Sequence, residues 1–257
     1  MKRWTFLCVF GMLAGASATG RGADAPAGAA PETAKPGDAA AAEALRALGA
    51  QVHLDAQGRI DSVLLSNPKA TDADLSPLAG LSGLESLEIA AAGISDAGLA
   101  HLRGLPLVRL YLRNVDVTDA GLKHLAGVTS LEALSLQNTK ITGKGLAHLE
   151  GLADLQVLNL AKAPVTDDDL RHLKKLTEIE TLSLEGTRVT GAGLAHLKGL
   201  ARLRTLNLKN CAVADDDLQQ LSGLSNLRML YVKGTKVTEA GAAKFKDTMP
   251  GLAIFFH

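Results

Sequence analysis

From residue 60 onward, apolar and polar positions follow one scheme: an L-x-x-L-x-L block, a polar joint, then leucines three apart. The blocks start at Ile60, Leu84, Leu107, Leu131, Leu155, Ile179, Leu203 and Leu227, so the steps are 24, 23 and then 24 five times. Eight units thus occupy residues 60–251, and LAIFFH supplies a final half-unit read as Leu252-x-x-Phe255 over 252–257. The period changes inside each unit. Alternation such as Leu134-Ser135-Leu136 predicts a strand. The spacing of Leu146, Leu149 and Leu152 predicts a short helix with one buried stripe.

The joint between them has its own chemistry. Thr71, Ser95, Thr118, Thr142, Thr166, Thr190 and Thr238 stand where a helix N-cap is needed. Asp72, Asp96, Asp119, Asp167 and Asp215 follow in the first turn, where negative charge suits the helix dipole. Ala214 replaces the cap in one unit, and that helix is expected to fray. Glycines at 98, 121, 145, 193 and 241 share one place and point to close backbone packing.

One unit cannot bury its own leucines. Stacked units set strands about 4.8 Å apart and helices about 8–10 Å apart, so the stack must curve with strands inside. The predicted fold is an α/β right-handed solenoid, a horseshoe with a parallel sheet on its concave face and short helices on its convex face. The blocks LEALSLQNTKITGKGLAHLEGL and IETLSLEGTRVTGAGLAHLKGL resemble leucine-rich repeats of the 24-residue bacterial exported type. They are similar also to the repeats of eukaryotic F-box receptors, although nothing like an F-box precedes them. The Asn or Cys usual at the ninth place of such repeats is met here only by Cys211; Thr139, Thr187 and Thr235 stand there in other units, and Pro68, Ala92, Val115 and Ala163 fill the rest.

The chain ahead of the repeats differs in character. Lys2 and Arg3, an apolar run from Trp4 to Ala14, and Gly15-Ala16-Ser17-Ala18 describe a signal peptide over 1–18, cleaved near Ala18. The run is too short to span a bilayer, and position 16 is Ala where a lipobox needs Cys. The expected product is exported, periplasmic or extracellular, with no membrane span in the mature chain. Residues 19–37 are rich in Ala, Pro and Gly and read as a disordered linker. Residues 38–59 read as an N-terminal cap: Asp38 as helix N-cap, a helix stopped at Gly49, then a strand QVHL and a turn at Gly58.

With the leucines inward, the third, fifth and seventh places of each unit face the hollow. Both tyrosines of the chain occupy a fifth place. Tyr111 is flanked by Arg109 and Arg113, and Tyr231 by Met229 and Lys233, with Lys209 one unit earlier. Tyr and Arg are enriched at interface anchors, so Arg109, Tyr111, Arg113, Lys209, Tyr231 and Lys233 are the candidate partner-binding residues. Sheet propensity alone also favours Tyr on exposed strand positions. Nine strands about 4.8 Å apart and five residues wide offer roughly 600 Å², against about 800 Å² per partner in a standard interface.

The 27 basic and 27 acidic residues cancel, which argues against nucleic-acid binding by bulk charge. Loss of Lys2 and Arg3 with the leader leaves 25 basic and 27 acidic residues, a net of −2. Cys211 is then the single cysteine of the mature chain and reads as a small buried apolar residue. His101, His124, His148, His172 and His196 recur at one place. Helices about 8–10 Å apart hold them too far apart to share an ion with bonds near 2.0–2.1 Å. The acidic triplets at 167–169 and 215–217 lack the spaced pattern of a calcium loop. No metal or other cofactor is expected, and no acid, base and nucleophile converge. The expected function is non-enzymatic recognition of a protein or cell-envelope ligand through the concave face, the chain acting as a monomer. The alternative is a spacer solenoid in an envelope assembly with no discrete hot spot; an enzyme is the third reading.

Overall fold

A computed structural model describes residues 36–257, so the signal-peptide expectation and nearly all of the linker lie outside the described residues. The strands are β1 (Gln51–Leu54), β2 (Ile60–Leu65), β3 (Ser86–Ile89), β4 (Arg109–Arg113), β5 (Ala133–Gln137), β6 (Val157–Asn159), β7 (Thr181–Ser183), β8 (Thr205–Asn207), β9 (Met229–Tyr231) and β10 (Ala253–Phe255). They form one sheet in chain order. β1 runs antiparallel to β2, and every later neighbour pair is parallel. The fold is a leucine-rich-repeat solenoid.

The core is a set of stacked rows. The eight block-opening residues, from Ile60 to Leu227, are fully buried, and so are Leu87, Leu110, Leu134, Leu158, Leu182, Leu206 and Leu230 in the next row. The returning segments are mostly 3₁₀ helix, for example Asp168–Lys175 and Gly191–Gly199, with brief α turns at Asp119–Leu122 and Gly143–Leu146. Three residues per turn brings positions i and i+3 onto one line. The L-x-x-L-x-x-L spacing is therefore better served by 3₁₀ geometry than by the 3.6-residue period of an α-helix.

The N-terminal helix Pro36–Ala47 holds Asp38 inside its first turn. That buried carboxylate accepts the Ile60 N–H at 3.2 Å, so Asp38 ties the helix to the first repeat strand and does not stand at the N-cap. Gly49 follows the helix with φ 82°, the left-handed stop expected of a C-terminal glycine.

The joint residues connect one unit to the next. Asp119 accepts the Thr142 N–H at 2.7 Å and the Thr142 hydroxyl at 2.6 Å. Asp72 holds Ser95, Asp96 holds Thr118, Asp167 holds Thr190 and Asp215 holds Thr238 in the same two-pronged way. A first-turn position favours these acids electrostatically, but the bonds they make lie across the inter-unit junction. The glycines at 98, 121, 145, 193 and 241 leave room for them: a Cβ at each would overlap the carboxylate of the preceding unit.

Where glycine replaces that Asp, the arrangement inverts. Gly143 and Gly191 lack a carboxylate, and the next units carry Asp169 and Asp217 in the place of the small glycine. Asp169 reaches back to the Thr166 N–H at 2.8 Å, and Asp217 to the Ala214 N–H at 2.8 Å. A Cβ at Gly143 or Gly191 would run into those side chains. Ala214 thus keeps its own N–H satisfied without a hydroxyl. All seven junctions carry one Asp and one Gly, in one order or the other.

Candidate binding face

The strand pairing aligns Glu88, Tyr111, Ser135, Asn159, Ser183, Asn207, Tyr231 and Phe255 as one row across the hollow face. Side chains at the same strand register stand on the same side of the sheet, which is why the fifth place of every unit shares this row. Its centre is lower than expected. Ser135, Asn159, Ser183 and Asn207 are buried, and so are Ala133, Thr181 and Thr205 beside them. Neighbouring strands about 4.8 Å apart shade short side chains from both sides. Ser135 Oγ is buried without a hydrogen-bond partner among the described residues. The result is a polar floor of small residues between two raised aromatic ends.

The two ends differ. At the first, Arg113 on β4 is ion-paired with Glu88 on β3. Tyr111 is half-buried beside them, and burial pushes its phenol above the ordinary value. Arg109 is exposed on the first row of β4. Glu88 thus offsets one of the two arginines of this cluster.

At the second, Tyr231 stacks on Phe255 with ring centroids 4.8 Å apart and planes 18° from parallel. The Lys209 ammonium lies 5.1 Å from the Tyr231 ring centroid. The Tyr231 hydroxyl points at Met229 Sδ, 3.9 Å away. Lys233 is exposed beside them. The six predicted residues therefore form two separate clusters of three.

Phe255 is a member of this face that the Leu252-x-x-Phe255 alignment placed in the core. Ala253 pairs with Met229 and Phe255 with Tyr231, so the last half-unit is shifted by one residue and its side chains swap faces. Ile254 and Phe256 pack on the core instead. The signal was in the period: 24 residues after Leu227 is Gly251, not Leu252.

On the convex side two of the repeated histidines, His124 and His172, have individual partners. Arg103 Nε donates to His124 Nδ1 at 2.8 Å. Burial, followed by the charges of Arg103 and Lys123, lowers the His124 pKa. Glu150 takes His172 at 2.8 Å and Lys175 at 2.8 Å, and these bonds hold its carboxyl at about 2. Among the described residues no group of three or more His, Cys, Asp or Glu is placed to hold a metal ion. Cys211 is buried, its thiol donates to the Leu184 carbonyl at 3.0 Å, and burial raises its pKa. No described helix is long and apolar enough to cross a membrane.

The solved structures similar to this chain carry the same architecture. An internalin (inlF) from Listeria monocytogenes superposes with a TM-score of 0.57 at 23% identity, over 75% of this chain and 59% of its own. This chain thus spans 59% of that internalin's length. An internalin C2 (inlC2) from the same species superposes at 0.51 and 23% identity, over 86% of this chain and 93% of its own. No family model matches the sequence, and no curated protein does.

Proposed function

We propose that this chain is an exported, non-enzymatic recognition protein that binds a protein or cell-envelope ligand in its concave face. The observation that carries the reading is the floor of Ser135, Asn159, Ser183 and Asn207 bracketed by Tyr111 and Tyr231. Small side chains let a ligand approach the sheet, and raised aromatic residues at each end supply anchoring area at low conformational cost. The basic, apolar and small-residue opening of the chain supports export. The likeness to internalins supports the fold on which such a face is built.

The test uses a photo-crosslinking side chain at Gln137 or Val157 on the hollow face, and at Lys198 on the convex side, in cells that export the protein. One saturable adduct from the first two positions, absent from Lys198 and lost on Tyr111→Ala, supports recognition. Adducts of equal yield from all three positions refute it and favour the spacer reading.

A further inference from the structure

We infer that the C-terminal end of the hollow takes an extended acidic peptide segment of a partner protein, laid across the strands from β6 to β10. This rests on the reading of the concave face as a recognition surface and names the chemistry of what it recognises.

This end carries the larger group of unpaired cations on the hollow face and its rim. Of the other cations of the face and its margins, Arg113 pairs with Glu88, Lys140 with Asp116, Arg202 with Glu178 and Arg204 with Glu180, while Arg109 is exposed with no ion pair among the described residues. Lys162, Lys209 and Lys233, where the chain leaves β6, β8 and β9, take part in no ion pair among the described residues. Glu185 is the acid on this rim, and it accepts the Asn207 amide at 3.1 Å. Three cations face one carboxylate already engaged.

Lys162 adds an independent observation. It holds φ 60° at the place where other units carry Asn114, Asn138 and Asn210, or Gly186 and Gly234, in the same left-handed conformation. That conformation is unfavourable for an ordinary L-residue and is tolerated best by Gly and Asn. A lysine there brings a cation to the rim at the expense of local backbone energy, and such strain concentrates at functional sites.

The aromatic cluster decides between kinds of anionic chain. A polysaccharide needs a series of open ring faces. Here one face of Tyr231 is covered by Phe255 and its ring carries Lys209. Only the outward face of Phe255, on the terminal strand of the sheet, is left without a neighbouring strand. An extended peptide needs less. Its side chains alternate, so acids on one side can meet the lysine rim while an apolar residue on the other rests on Phe255 and Met229. Four strand steps at about 4.8 Å span roughly 19 Å, the length of about six extended residues at about 3.3 Å each.

The experiment measures anisotropy of fluorescein-labelled Asp-Phe-Glu-Leu-Asp-Phe with the whole protein, beside the Asn/Gln amide counterpart and with polygalacturonate as competitor. Saturable binding of the acidic peptide, absent for the amide peptide and weakened by salt, is expected. Combining Lys209→Gln with Lys233→Gln removes two exposed ion pairs to the peptide and raises Kd about tenfold. Lys162→Asn weakens binding to a smaller extent while leaving the protein more stable, which separates charge from folding. Equal Kd values for acidic and amide peptides, or for wild type and the double variant, overturn the inference. So does polygalacturonate binding to a protein that ignores the peptide. Crosslinking at Gln137 that persists without peptide binding removes this inference alone; loss of both removes the recognition reading as well.

Discussion

The Asp–Gly pairing at the junctions makes a quantitative prediction. Asp119→Gly deprives the Thr142 N–H and hydroxyl of a part-buried carboxylate held at 2.7 and 2.6 Å. Hydrogen bonds to charged groups contribute about 1.5–3 kcal/mol each, but water reaches the gap, so the expected loss is about 2–3 kcal/mol. Gly145→Asp alone forces a new Cβ and a second carboxylate against Asp119. Overlap and like charge give a loss of similar size, about 2–3 kcal/mol. The two changes together reproduce the inverted junction found at Gly143 and Asp169, where Asp169 Oδ2 holds the Thr166 N–H and hydroxyl at 2.8 Å. The double variant is expected within about 1 kcal/mol of wild type, a coupling of about 4 kcal/mol. Urea unfolding followed by circular dichroism reads all four proteins. A double variant that loses the sum of the two single losses refutes the pairing, and so does a neutral Gly145→Asp.

Three further outcomes follow from individual residues. Lys162→Asn relieves the left-handed backbone at φ 60° and raises stability by about 0.5–1 kcal/mol, read from the same urea curves. Glu150 titrates at about 2, and His172→Ala moves it up toward its ordinary 4.5, followed by carboxyl ¹³C shifts. Because its folded pKa is depressed, the Glu150 contribution is present above about 4.5 and fades as pH falls toward 2; its exposure keeps that contribution small. Cys211, with its thiol buried and bonded to the Leu184 carbonyl, resists alkylation in native protein and reacts on unfolding. Rapid labelling of the folded protein contradicts its placement.

Much of the architecture could be read from one strand of text because the repeat presents the same decision many times. A leucine at a fixed place, recurring about every 24 residues, must be buried against its copies, and only a stack does that. The same counting put Tyr111 and Tyr231 on one face, since side-chain direction alternates along a strand whatever its neighbours are. The convex segments were legible as helical and as short. Their 3₁₀ character follows from leucines three apart, a spacing present in the text but read there as one face of an α-helix.

What tertiary structure alone decided are the relations between units. Asp119 and Thr142 are 23 residues apart, and nothing local distinguishes a carboxylate that favours its own helix end from one that binds the next unit. The ion pair of Arg113 with Glu88 and the stack of Tyr231 on Phe255 join different strands, and they give the two ends of the hollow different chemistry. Periodicity determines which face a residue occupies, because that depends on backbone geometry within one unit. Charge balance and depth depend on what the adjoining strand places about 4.8 Å away, and that is settled only when the units are stacked.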